Sequence, residues 1–262
     1  MQRHSLGLIK LVFVLIISLI LSACVTEGNI IGEKSKKSNA NARSNNSAER
    51  AVSYMNLEQL KTAEDILKEA LKETPRHSMV NYTYAVLKLK LGEAKKANKF
   101  FRTAVNSDIN NSRAAHDYGF YLCSQKKLKE GIKMFEQAIS NPLFNERALS
   151  YLRAGECVFN SDIDKAESYF LSAYSENNSL SIALFRLAEL NFTRENNLKA
   201  RAFYQRYADV QKDTAASLYL AYQIESSLDS PKEAAIYRKN LLIKFPGSPE
   251  AKQVRKRLKY NE

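Results

Sequence analysis

Few residues of this chain could do chemistry, and its three cysteines come first. Cys24 closes the tetrapeptide Leu21-Ser22-Ala23-Cys24. It resembles a bacterial lipobox, Leu-(Ser/Ala)-(Ala/Gly)-Cys, where the thiol accepts a diacylglyceryl group and cleavage makes the cysteine the new N-terminus. Small residues before the cysteine let the chain enter the peptidase site. Cys123 and Cys157 remain, 34 residues apart. In an oxidising compartment such a pair is a disulfide candidate; two small buried core residues are the alternative. His4, His77 and His116 show no metal-ligand spacing with one another or with the cysteines. No Gly-rich phosphate loop or nucleophile motif occurs. The reading is a non-enzyme with no metal, no cofactor beyond a covalent lipid on Cys24, and no small-molecule substrate.

The segment before Cys24 fits that chemistry. Arg3 and His4 begin a short basic region, and Leu11 to Leu21 is apolar apart from Ser18. The run is too short for a comfortable membrane span and has signal-peptide proportions; an uncleaved anchor is the alternative. Residues 1–23 are therefore expected to be a lipoprotein signal peptide. Val25, not Asp, follows Cys24. By resemblance to sorted lipoproteins this implies the periplasmic face of the outer membrane. Residues 24–44 are rich in Ser, Asn and Lys and offer little apolar surface. They read as the lipidated N-terminus and a flexible tether. The net charge is +12, and no acid lies in the signal, which holds Arg3 and Lys10. The mature chain would thus carry about +10. Its cations are interspersed with acids over many segments, which reads as a solvated basic surface and not as a nucleic-acid site.

The remaining chain repeats. A small residue recurs at Ala63, Ala97, Gly131, Ala166, Ala200 and Ala234, with spacings of 34, 34, 35, 34 and 34. Four on stand Leu67, Phe101, Phe135, Phe170, Tyr204 and, departing, Arg238; three further on stand Ala70, Ala104, Ala138, Ala173, Tyr207 and Leu241. Twelve residues before the first small position stand Ala51, Ala85, Gly119, Ala154, Ala188 and, departing, Tyr222. This is the tetratricopeptide (TPR) pattern, although the chain has no Trp and keeps the pattern's proline only at Pro75 and Pro246. One helical hairpin cannot bury its apolar stripe alone, so neighbours stack and share a core. The expected fold is all-α: a right-handed TPR solenoid of about six helix-turn-helix repeats over residues 45–247. Residues 248–262, with Lys252, Arg255, Lys256, Arg257 and Lys259, read as a polar C-terminal capping helix.

First helices line the groove of such solenoids. Three residues before the Ala85-type position stand Tyr82, His116, Phe185 and Tyr219; the 35-residue step makes Tyr151 the match in the fourth repeat. One turn on lie Val86, Phe120 and Glu189. Aromatics with a polar edge anchor peptide partners well. The alternative is that these rings pack repeat against repeat. Cys123 and Cys157, one repeat apart, would occupy matching points on adjacent first helices, and a bridge needs both to face the shared seam.

Three motifs resemble one family. His116-Asp117-Tyr118-Gly119-Phe120-Tyr121-Leu122-Cys123 is similar to Asn-Asn-Tyr-Gly-x-Phe-Leu-Cys of the type IV pilus biogenesis/stability lipoproteins called PilF or PilW. Asn141-Pro142-Leu143-Phe144 resembles their Asp-Pro-Leu-Tyr, and Ala154-Gly155-Glu156-Cys157 their Ala-Gly-x-Cys. The resemblance implies a pilotin. Such a protein is anchored by lipid, binds the outer-membrane secretin subunit, and promotes its localisation and multimerisation. A different outer-membrane TPR lipoprotein, serving outer-membrane protein assembly or as an adaptor for peptidoglycan hydrolases, is the alternative.

Overall fold

The computed structural model describes residues 35–260. The expected signal peptide and Cys24 lie outside the described residues. Every regular element described is a helix, in an all-α TPR arrangement of helical hairpins, and the described residues divide into two compact units, 35–108 and 109–260. No helix among the described residues is long and apolar enough to cross a membrane.

The first unit contains α1 (residues 35–56), α2 (Leu60–Glu73), α3 (Ser78–Lys90) and α4 (Ala94–Ser107). The expectation of a flexible tether over residues 24–44 is corrected here, because residues 35–44 are the first turns of α1. The physical reason is a stripe of small residues at helical spacing. Ser44, Ala48, Ala51 and Met55 are all buried. Ser44 Oγ lies 2.6 Å from Thr74 Oγ1, and Arg43 pairs with Glu73 at 3.1 Å. Packing against the end of α2 offsets the weak local propensity of a Ser/Asn-rich segment.

The seam of α2 and α3 holds a buried cation. Lys88 is 4% exposed. Its Nζ donates to Glu64 Oε1 at 2.8 Å and to Glu93 Oε1 at 2.9 Å. Tyr84 donates its hydroxyl to Glu64 at 3.1 Å, and Lys68 adds an ion pair at 3.0 Å. Donation from Lys88, then from Lys68, lowers the Glu64 carboxyl to about 2. Burial raises the Tyr84 phenol to about 12, so it stays protonated and remains a donor.

The second unit contains α5 (Ser112–Ser124), α6 (Leu128–Ile139), α7 (Arg147–Val158), α8 (Ile163–Glu176), α9 (Ser181–Thr193), α10 (Asn197–Ala208), α11 (Ala215–Ser227), α12 (Pro231–Lys244) and α13 (Pro249–Tyr260). The repeat pattern marks its core. Phe135 and Phe170 are fully buried, as Phe101 is in the first unit. Each such ring removed from water contributes about 2–3 kcal/mol. In every hairpin but α7–α8 the turn uses one left-handed residue, with φ of 51–74°, at Glu58, Gly92, Lys126, Glu195 and Asp229; only at Gly92 is the strain of a Cβ absent. Helix starts are marked by Asn111 and Asp162, whose side chains accept from Ala114 N and Lys165 N, and by a Thr214/Ser217 capping box. At the C-terminal end, Ala251 and Val254 of α13 pack on Leu218 and Leu241 in a small cluster that closes the stack.

Candidate functional site

The three motifs that carry the family resemblance converge on the seam between α5 and α7. Cys123 and Cys157 form a disulfide there, with Cα atoms 5.6 Å apart. They are not at matching points of their helices, which corrects the simple one-repeat argument. Gly119 to Ala154 is a 35-residue step. Cys157 therefore stands one residue before the equivalent of Cys123, turned by about 100° around its helix. The neighbouring glycine follows from the bridge. A Cβ on Gly131 would lie 2.4 Å from Cys123 Sγ, so the position that holds Ala in the other repeats holds Gly here.

His116 closes the other end of this seam. It is 5% exposed, and its Nδ1 lies 2.7 Å from Ser150 Oγ. Ser150 donates its hydroxyl to the Glu146 carbonyl at 3.1 Å, which makes the imidazole N–H the donor to Ser150. The rings of Phe135 and Phe144 stand 5.7 and 6.2 Å away. Burial holds His116 below the ordinary histidine value and keeps it neutral. Asn141 ties the loop down: its Nδ2 donates to Ser112 Oγ at 2.9 Å, and its Oδ1 accepts from Leu143 N at 3.0 Å. The expectation of His116 as a groove residue is thus corrected. Its partner Ser150 faces it across the seam, and the polar ring is consumed by packing.

Most of the predicted ring ladder is packing too. Phe185 is half-buried with its ring 5.4 Å from Tyr207. Tyr151 packs on the core, 6.4 Å from Tyr169. Tyr219 packs on the C-terminal cluster, 6.3 Å from Tyr222. In the first unit Tyr82 is half-buried, 6.4 Å from Phe101, and Val86 packs on that unit's core. These rings meet aromatics of their own units because the same register that faces a groove also faces the adjoining helix.

Phe120 differs. It is 54% exposed, and the Arg153 guanidinium stands over its ring at 5.5 Å. From there a charge ladder runs across two first helices, α7 and α9. Arg153 donates to Glu156 at 2.7 Å, Arg186 donates to the same carboxylate at 3.0 Å, and Arg186 donates to Glu189 at 2.9 Å. Arg153, Glu156, Arg186 and Glu189, with Phe159 and Asn160, line an open cleft of about 390 Å³. Phe120 and Glu189 were legible as groove positions; Arg153, Glu156 and Arg186 were not. The signal existed: Arg-x-x-Glu occurs at 153–156 and again at 186–189, 33 residues apart. Alternating cations and carboxylates beside an exposed ring can hold a peptide by its polar groups while the ring covers an apolar side chain. No group of His, Cys, Asp and Glu that could hold a metal occurs among the described residues.

The architecture is a tetratricopeptide fold. Among solved structures it is similar to PilF of Pseudomonas aeruginosa, at TM-score 0.72 and 23% identity over 84% of this chain and 99% of that one. It is also similar to PilW, a widely conserved type IV pilus biogenesis factor, at TM-score 0.69 and 23% identity over 80% and 97%. YrrB, a TPR protein with an unusual peptide-binding site, follows at TM-score 0.60 and 17% identity over 72% and 97%. No family model matches the chain, and no curated protein matches it in sequence.

Proposed function

We propose that this chain is a pilotin: an outer-membrane lipoprotein, anchored through Cys24, that binds the type IV pilus secretin subunit and promotes its multimerisation. The observation that carries the reading is the α5–α7 seam. There the three motifs shared with the PilF and PilW lipoproteins build one structure, on a fold like theirs. The lipobox supports the anchor. The face bearing Phe120, Arg153, Glu156, Arg186 and Glu189 is the proposed partner surface, and the peptide-binding site of YrrB, on a similar fold, is in keeping with it. Binding at a lipid-tethered site raises the partner's effective concentration at the membrane, which is all that assembly requires of a non-catalytic protein.

The test is photo-crosslinking in cells from a benzoyl-phenylalanine placed at Phe120, followed by mass spectrometry. A secretin adduct is expected, and it should fall at least tenfold when Arg153→Ala and Arg186→Ala are combined. Adducts to an outer-membrane assembly protein or a hydrolase, with none to a secretin, would overturn the reading in favour of another TPR scaffold.

A further inference from the structure

The geometry of the last two helices points to a second function, separate from partner binding: we propose that the outward face of α12, together with α13, docks on an anionic lipid bilayer. Ala234 and Leu241 turn inward from α12 and are buried. On the opposite side stand Lys232, Ile236, Lys239 and Ile243, all exposed. Their spacing of four, three and four residues places them on one face. The isoleucines are 58% and 65% exposed. At the same two register positions α4 carries Lys99 and Asn106, and α6 carries Lys133 while Ser140 follows it. The outward isoleucines of α12 therefore do not belong to the repeat pattern.

Charge singles out the same region. From Pro231 to Tyr260 there are nine Lys and Arg against two Glu, a net +7 of the chain's +12. On α13, Lys252, Arg255, Lys256 and Arg257 are all exposed. α4 and α10 also carry cations without acids of their own, but neither pairs them with exposed isoleucines at these two register positions, whereas α2 and α6 interleave the two signs. α2 has Lys61 against Asp65 at 2.8 Å, and α6 carries Glu130 and Glu136 beside its lysines.

Basic and aliphatic residues alternating along one exposed helix face fit a lipid surface better than other polyanions. A nucleic-acid backbone would take the cations but offers no apolar phase to β-branched side chains. An acidic protein patch would leave the same isoleucines in water. At a bilayer the lysines reach up to headgroup phosphates while the isoleucines enter the boundary below, about 5–10 Å deep. Anionic lipid supplies the attraction that a short apolar stripe alone lacks. The consequence is orientational. A lipid anchor at the N-terminus alone leaves the repeats free to tumble, whereas contact at α12 fixes which face looks away from the membrane.

The test uses the full chain on a Cys24→Ser background, so that an added cysteine is the one free thiol beside the Cys123–Cys157 bridge. Ile236→Cys or Ile243→Cys is labelled with bimane, and Lys133→Cys on α6 serves as the register control. The protein is reconstituted into vesicles of phosphatidylethanolamine and phosphatidylglycerol, or of phosphatidylcholine alone. Doxyl lipids act as quenchers. At positions 236 and 243, quenching should be strong in the anionic vesicles, greater for a doxyl near the headgroup than near the chain end, and reduced at high salt. It should be weak at position 133 and weak throughout in phosphatidylcholine. Equal quenching at 133 and 236, or none at 236 and 243, would overturn the proposal. Bimane self-quenching that rises with protein density, in place of lipid quenching, would assign the face to a second copy of the chain and equally overturn it. Far-UV circular dichroism checks that each variant is folded, and the two isoleucine positions serve as independent readouts. The outcome does not depend on the secretin reading, because no partner protein is present.

Discussion

The α2–α3 seam of the first unit and the α5–α7 seam of the second do the same job with different chemistry. Both join neighbouring helices of stacked hairpins. The first is held by a buried ammonium, Lys88, shared between Glu64 and Glu93 with Tyr84 as an added donor. The second is held by a covalent bridge and a neutral histidine, His116, bonded to Ser150. The contrast shows how repeats that share one backbone plan can differ in what threatens them. A buried ion pair depends on protonation, and removal of either partner strands a charge. A disulfide is indifferent to pH over the ordinary range but depends on the redox compartment.

The largest effect should come from opening the covalent seam. The bridge closes a loop of 35 residues counting both ends, for which the chain-entropy treatment gives about 4 kcal/mol. The double variant Cys123→Ser/Cys157→Ser should therefore speed hydrogen exchange in α5 and α7 by several hundredfold. Amides of α2 and α3 should be unaffected, since repeat stability is local. Uniform loss of protection in both units would show that the seams are not independent.

Next in size is the ionic seam. Lys88→Ala removes the cation from between two carboxylates and should cost about 3 kcal/mol, felt in the first unit. Urea unfolding monitored by exchange in α2 and α3 measures it. Replacing the pair together, Lys88→Met with Glu64→Leu, should restore most of the loss. If it does not, the Tyr84 hydroxyl left without its acceptor is the larger contributor.

The smallest effects are in pH, and their windows separate the two seams. The folded Glu64 carboxyl is depressed to about 2 from 4.5. Its contribution is complete above 4.5 and is lost as pH falls from there towards 2. His116 is also depressed, from 6.5, because burial disfavours its charged form. The unfolded chain then takes up a proton that the folded chain refuses, so stability falls as pH drops below about 6.5. Mild acid should loosen the α5–α7 seam before it reaches the α2–α3 ion pair; burial also lowers His77, at the start of α3, so the first unit carries a histidine contribution of its own in the same window. His116→Asn should abolish the earlier loss, and Glu64→Gln should flatten the later one. Exchange rates in α5 and α3 across a pH series, corrected for intrinsic chemistry, check both. An unchanged profile in His116→Asn would mean another group titrates in the second unit.

The 34-residue period was enough to define the helices, the hairpins and the core. Small residues at Ala97 and Ala166 and rings at Phe101 and Phe170 have one use in a chain of stacked helices. Each repeat meets only its neighbours, so local sequence carries nearly all of that information. The cysteines were legible as a candidate pair by compartment and distance. The rotation that brings them face to face was not, because it depends on the extra residue in one repeat. Gly131 held the trace of it, as a glycine where its equivalents are alanine.

What the tertiary structure alone decided is which side of a helix meets a neighbour and which meets water. Phe120 and Phe185 both read as groove rings and both lie under an arginine, yet Phe120 stays exposed while Phe185 packs against Tyr207 of the next helix. His116 looked like a ligand-facing ring until Ser150 faced it from another helix. Residues 35–44 have a linker's composition and become helix because α2 offers Thr74 and Glu73 to Ser44 and Arg43. Periodicity fixes the angle of a side chain around its own axis. Burial depends also on what the next helix places opposite, and that is settled only when the two are packed together.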